Sequence, residues 1–412
     1  MKRPLILFED DAFTGFLPLL FWRSIFELGV GRKIVLDRVA QRLGTPVSGV
    51  WTRDWMATVA AQRCGAPANQ PQSGPAVLLN GRWLPDGPVE FPKGACVGET
   101  SDHQVAYIAC DEKLARAFTP RDLLGNESGR AMLEGVPRTP VAGRVIRYPW
   151  EVVADLGTLL EKDWLPSDAS IESDVRLPLL EGSREKLHVG ERVEIHPTAI
   201  IDVTKGSIFL GDDVHVGAYS VLEGPLSVGP GSRINAQAWL HGGNSIGPVC
   251  KIGGEVQNCV ILGYSNKQHH GFLGHSYVGS WVNIGAGASN SDLKNTYGTV
   301  RVPLGGKEVD TGQMFFGAVI GDHAKIGINT AIPTGCYMGF AASISGGGMT
   351  PKHIPSFAWC SGEKISAGDP MRAMDVASAM MARRHVDLTD EEVDLFSALP
   401  DRVREFESRS VV

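Results

Sequence analysis

Long uninterrupted apolar runs are scarce in this 412-residue chain. The best candidate, Ala12–Phe26, holds Pro18 and Arg23 and is too short to cross a bilayer. The opening MKRPLILFEDD has its apolar run cut by Glu9, Asp10 and Asp11, so it does not read as a signal peptide. Cysteine is also sparse. The seven residues, Cys64, Cys96, Cys110, Cys250, Cys259, Cys336 and Cys360, are scattered and form no C-x-x-C pair, so the expectation is reduced thiols in a cytoplasmic protein. Charge of one sign is lacking too. A net charge of −7 with 21% charged residues excludes the broad basic surface of a nucleic-acid or membrane binder, and leaves room only for a local basic pocket for a phosphorylated substrate.

Glycine, by contrast, is plentiful at 49 residues, and much of it falls on a period. Leu210, Val216, Leu222, Val228, Ile234, Leu240, Ile246 and Ile252 follow one another every six residues. Glycine comes directly after the aliphatic at Gly211, Gly217, Gly229, Gly247 and Gly253. The beat returns at Phe272, Val278 and Ile284, and at Ile320, Ile326, Ile332, Met338 and Ile344. Six residues match neither a helix nor a hairpin. They match a hexapeptide β-helix, in which each hexad forms one flat side of a coil, the aliphatic points inward, and glycine relieves crowding at the corner. The left-handed parallel β-helix of hexapeptide repeats is expected from about Val193 to Phe357, with interruptions at Gly263–Gly271 and Asn290–Gln313 that project outward.

The length allows two or three domains. Residues 1–150 alternate apolar runs with polar breaks, which indicates an α/β domain. Strands are expected at Pro4–Phe8, Ile34–Leu36 with Val39, Ala76–Leu79 and Val105–Ala109, a helix at Asp54–Arg63, and a loop at Gly65–Gly74. A helix over Trp150–Trp164 opens a helical linker, 151–192, ahead of a β-helix domain at 193–360. The tail, 361–412, reads as helices: Met371–Arg384 has helical apolar spacing, and Thr389 with Glu392 makes a capping box. These helices are expected to cover the open end of the solenoid, whose last strand edges otherwise invite aggregation.

Candidate chemistry concentrates in Tyr264–Asn295, which carries His269, His270 and His275, two lysines and several amides. Histidine serves as a general base near neutral pH with little tuning. The sequence VNIGAG at Val282–Gly287, together with Gly306–Asn329, resembles the acetyltransferase half of the bifunctional uridylyltransferase/glucosamine-1-phosphate acetyltransferase (GlmU-type) family. At that family's spacing its basic histidine falls on His269, its tyrosine on Phe272, and its substrate asparagine on Asn283. A second asparagine falls on Asp292, with Asn290 beside it. The family's upstream lysine and arginine are not at their spacing, and Lys251 and Lys267 are the substitutes. The resemblance implies an acetyl-CoA site lined by Ala286, Ile328 and Gly346, an amino-sugar phosphate acceptor, and a homotrimer with sites in clefts between subunits.

In the same family the first domain is a nucleotidyltransferase. Its G-x-G-T-R phosphate loop is missing here, while LILFEDD, NGR at Asn80–Arg82 and YPW at Tyr148–Trp150 resemble an alternative bacterial branch with a divergent first domain. An active domain would hold Mg²⁺ on Asp10 or Asp11 and bind phosphates with Arg23, Arg32 and Lys33. The plainer reading is that the acids end a strand and the basic residues cap a helix. Two other functions compete. His270 and His275 with His241 would suit an inter-subunit zinc site like that of the γ-class carbonic anhydrases. A solenoid without acetyl-CoA would act only as a trimerising scaffold.

Overall fold

The computed structural model describes residues 3–124, 127–171 and 178–407. The N-terminal unit is a six-stranded sheet in the order Gly49–Trp51, Leu5–Phe8, Ala76–Asn80, Val105–Cys110, Cys96–Glu99, Arg138–Pro140. The first three strands run parallel and the next pairs antiparallel. Leu5–Phe8 and Ala76–Asn80 are buried along their whole length, as strands covered on both faces must be.

Two local expectations differ from the fold. Only Lys33–Ile34 is extended, and Val35–Leu43 is a helix rather than a continued strand. Val35 and Val39 lie four apart on its buried side, and Gly44 ends it in the left-handed region at φ 59°. The helix over Trp150–Trp164 is two helices, Pro149–Ala154 and Leu156–Asp163, broken at Asp155. The ion pair of Asp155 with Arg144 lies at this break.

The second half is a left-handed parallel β-solenoid of about ten turns with three flat faces. It begins before Val193. Among its described residues the stretch 151–192 is helical only as far as Asp163, apart from short 3₁₀ turns, and then supplies strands at Ser170–Ile171, Leu179–Glu181 and Leu187–Val189. The first face runs from Ser170–Ile171 to His353–Ile354 and the second from Glu194–Ile195 to Ala358–Ser361. The third runs from Leu179–Glu181 to Phe272–Gly274 and resumes at Ser289–Asn290, Thr330–Ile332 and Gly348–Met349. The eight aliphatics from Leu210 to Ile252 all point inward, none more than 2% exposed. Each such side chain contributes about 1.5–3 kcal/mol through burial. The corner glycines are held by steric limits: a Cβ on Gly229 would stand 2.6 Å from the carbonyl carbon of Gly247 on the next coil. At the second repeat block the beat slips by one. Leu273, not Phe272, pairs with Val256 and fills the interior.

The expected interruption starts one residue late, since Asn290 still pairs on the third face, and the segment 291–313 leaves the prism and carries the hairpin Arg301–Leu304/Lys307–Asp310. The final coil is closed by an antiparallel strand, Lys364–Ala367, on Ala358–Ser361. The two C-terminal helices, Pro370–Ala382 and Asp390–Glu407, lie along the sides of the solenoid rather than over its open end. The first follows the second face, and beyond it Arg384 donates to Asn266 Oδ1 at 2.8 Å. The second buries Leu395, Phe396 and Leu399 in one core shared with the N-terminal unit. Its start carries the expected capping box between Thr389 and Glu392. All seven cysteines are unpaired. Among the described residues no helix is long and apolar enough to cross a membrane.

The N-terminal unit sits on the first face of the solenoid. Tyr277 donates to the Gly29 carbonyl at 2.9 Å and Ser245 to that of Gly31 at 2.6 Å. Arg32 lies 4.5 Å above the Phe209 ring. Arg23 reaches Ser280 at 3.1 Å and forms an ion pair with Asp322, both partners buried. Arg23→Met strands that carboxylate without a counter-ion, so it is expected to lower stability by about 3–5 kcal/mol. Adding Asp322→Leu should restore much of the loss. Urea unfolding checks this, and an unshifted midpoint for the single variant would show that the pair contributes nothing.

Candidate functional site

The edge between the second and third faces is built from the turns that follow the second-face strands. On successive coils these turns contain His269 and His270, then Ala286 and Gly287, then Ile328 and Asn329, then Gly346 and Gly347. The coils are stitched along the edge. Gly287 N–H donates to the His270 carbonyl at 3.1 Å, Asn329 N–H to Ala286 at 2.8 Å, and Gly348 N–H to Asn329 at 3.1 Å. His269 and His270 are exposed, and Ile328 presents 63% of its surface. The expected base and the three expected acetyl-CoA residues thus lie on one open edge.

The second face beside that edge carries an outward column in register: His215, Arg233, Lys251, Asn266, Asn283, Lys325. Asn283 and Lys251 therefore stand on the same face, flanked by Arg384 through its bond to Asn266. The Lys251 amine is held below its ordinary range, first by partial burial and then by Arg384, Arg233 and Arg383. Lys325 was not anticipated. Its Nζ donates to the carbonyls of Trp281 at 2.9 Å and His323 at 2.6 Å, and burial pushes it down to about 7. The signal was present, since K-I-G occurs both at Lys251–Gly253 and at Lys325–Gly327.

Other expected residues lie elsewhere. Lys267 points into the solenoid interior at 2% exposure, so it does not reach a ligand outside. Phe272 faces outward on the third face, its N–H bonded to Ser289 Oγ at 3.0 Å. Asn290 is buried and brackets Gly274, accepting from its N–H at 2.7 Å and donating to its carbonyl at 2.9 Å. That amide joins two coils where the third-face ladder is interrupted. Asp292 accepts from His275 Nδ1 at 2.8 Å at the far corner of the third face, where Phe315 stacks on the imidazole at 5.2 Å. Zinc ligation by one chain finds no support. His270 lies across the third face from His241 and His275, His241 is within 3.1 Å of Glu255, and no described group of three His, Cys, Asp or Glu residues forms a metal cage.

In the N-terminal unit, Arg23 and Arg32 are committed to structure. Arg23 is paired with Asp322, while Arg32 pairs with Asp168 at 2.9 Å and donates to the Asp163 carbonyl. Lys33 is half-buried beside Arg32, and both, burial first, hold its amine below the usual range. Asp10 and Asp11 follow the strand Leu5–Phe8. They line a small pocket of about 130 Å³ with Asn80, Asp122 and Arg130, at the carboxyl ends of the parallel strands. Asp10 is paired with Arg82 and accepts from Asn80 at 2.9 Å, while Asp11 is exposed. Among the described residues these acids do not by themselves enclose a divalent cation.

Residues 5–166 match the family model for sugar nucleotidyl transferases. Over 106 residues the chain is 34% identical to a bifunctional sugar-1-phosphate nucleotidylyltransferase/acetyltransferase of Sulfurisphaera tokodaii. That alignment takes in 25% of this chain and 26% of the relative, so the chain spans about a quarter of the length of the curated relative it matches. Among solved structures, an Arabidopsis UDP-N-acetylglucosamine acyltransferase aligns at 13% identity and TM-score 0.21, covering 57% of this chain and 92% of that one. The Campylobacter jejuni UDP-N-acetylglucosamine acyltransferase aligns at 15% identity and TM-score 0.17, covering 52% and 94%.

Asn290→Ala would leave the buried N–H of Gly274 unsatisfied, while the Gly274 carbonyl keeps its bond from Ser276 Oγ at 2.7 Å. Such a group costs about 1–3 kcal/mol, so the thermal midpoint should fall while acetyl-CoA binding by calorimetry stays unchanged. A stable variant with weakened ligand binding would return Asn290 to the binding site.

Proposed function

We propose that this chain is a two-domain enzyme of sugar-nucleotide biosynthesis. The solenoid transfers the acetyl group of acetyl-CoA to the amine of an amino-sugar 1-phosphate, with His269 as general base. The N-terminal unit binds, and forms, the nucleoside diphosphate sugar. One observation carries the reading: His269, Ala286, Ile328 and Gly346, far apart in sequence, stack on a single open edge beside Asn283 and Lys251.

In the reaction His269 accepts a proton from the amine as its nitrogen attacks the thioester carbonyl. The C–N bond forms, the C–S bond breaks, and the imidazolium returns its proton to the departing thiolate. N–H groups of the glycine-rich turns oppose charge building on the carbonyl oxygen. Lys251 and its arginine neighbours supply the positive field for a phosphate. Support for the N-terminal role comes from the family match over 5–166 and from the pocket holding Asp10 and Asp11. The unpaired cysteines and the lack of a membrane-length helix among the described residues suit a cytoplasmic enzyme.

His269→Ala should abolish acetyl transfer from acetyl-CoA to glucosamine 1-phosphate without altering the circular dichroism spectrum. Unchanged turnover would reject the assignment. A wild-type protein that binds no acetyl-CoA by calorimetry would favour the scaffold instead.

The assembly we propose is a homotrimer formed through the third face. The first face is occupied by the N-terminal unit and the second is flanked by the C-terminal helix. The third leaves an outward row of Leu179, Ile200, Val221 and Trp239 in register, with Trp239 46% exposed. An acidic row, Glu181, Asp202 and Glu223, runs beside it and complements the basic column His215, Arg233, Lys251 of the second face. Trp239→Glu should convert a trimer to monomer in sedimentation velocity; a variant that stays trimeric places the interface elsewhere.

A further inference from the structure

Along the second face, inward positions from Val216 to Ile344 are aliphatic except at Lys267. Its register partner is Ile252, fifteen residues earlier, whereas Ile234 and Ile252 pair eighteen apart. The coil is short by three residues, and a long flexible stem takes the place of a branched aliphatic. The methylenes fill the interior, and the ammonium extends to the corner. There Nζ donates to the carbonyl of Gly253 at 2.9 Å and to the carbonyl of His269 at 2.7 Å. Gly254, at φ 70°, makes the room: a Cβ on it would stand 2.8 Å from Nζ and 2.7 Å from the His269 oxygen.

All the carbonyls of this corner have partners. Gln268 O accepts from Asn235 Nδ2 at 2.7 Å, His270 O from Gly287 N–H at 3.1 Å, and Gly271 O from Glu255 N–H at 3.1 Å. The His269 carbonyl has Lys267. Packing does not account for a lysine here. A methionine has similar volume and carries no cost for burying a charge, and burial already drives this amine down to about 8. What methionine lacks is a donor for the backbone oxygen of His269.

We propose that Lys267 is a positioning residue for the chemistry at His269: from inside the prism its amine holds the carbonyls of His269 and Gly253, and so fixes the backbone from which the imidazole projects. The role rests on His269 as base. Lys267 itself is shut off from solvent and touches no substrate.

The test is Lys267→Met. The folded variant should keep the wild-type circular dichroism spectrum and acetyl-CoA affinity by calorimetry. Its kcat should fall roughly ten- to a hundredfold, the cost of a misplaced reacting group, with KM little changed. A packing role alone would not lower kcat at constant KM. Wild-type kcat in folded Lys267→Met, with His269→Ala inactive, overturns this role and leaves the base in place. Full activity in His269→Ala overturns both. If Lys267→Met does not fold, Asn235→Ala, which frees the neighbouring Gln268 carbonyl from a more accessible position, should lower kcat in the same way; unchanged kcat there overturns the proposal.

Discussion

Every feature of the second half depends on the stacking of one coil on the next. Parallel strands sit about 4.8 Å apart, and each inward aliphatic must meet another directly above and below it. This repeat fixes the corners as firmly as the faces. Where Gly229 turns, no Cβ fits against Gly247, and Tyr264, Trp281 and His323 all adopt the left-handed backbone. Those three residues follow the glycine corners of the first face on successive coils, and two of their rings stack at 4.2 Å. A lattice this regular leaves little freedom to place a catalytic group except at its edges and interruptions.

The three faces take different roles as a result. The first is covered by the N-terminal unit, the second displays cations and amides under the C-terminal helix, and the third is left bare. The edge joining the second and third faces is where we place the chemistry, because its turns are exposed and are tied coil to coil by backbone bonds. His269 needs no large movement of the chain to meet a ligand lying along that edge.

Much of this was legible in the residues. A six-residue beat has one structural solution, so the solenoid and its inward set could be read directly. The edge could be read as well, because VNIGAG sets the register for Ala286 and the later coils repeat it. The slip at Phe272 could not be read. A coil of altered length shifts the inward position by one, and an aromatic beside a leucine gives no sign of which points in. Lys267 and Asn290 misled for a related reason: polar residues near a candidate base look like ligands, but a solenoid also buries polar side chains to complete backbone bonding where coils change length. Arg23 and Arg32 lost their expected role because the partners that claim them, Asp322 and Asp168, are distant in sequence. The helix at Val35–Leu43 was missed because Ile34–Leu36 has the branched composition of a strand, while the deciding contact is with the preceding segment.

The burial of Tyr277, Val319 and Tyr337 beneath the N-terminal unit has an evolutionary corollary. Chains joined by a loose tether can be cut into separate genes, or shuffled, without loss. Here fission would bare an aromatic surface and part Asp322 from its Arg23 counter-ion, so each half serves as the other's solvent shield.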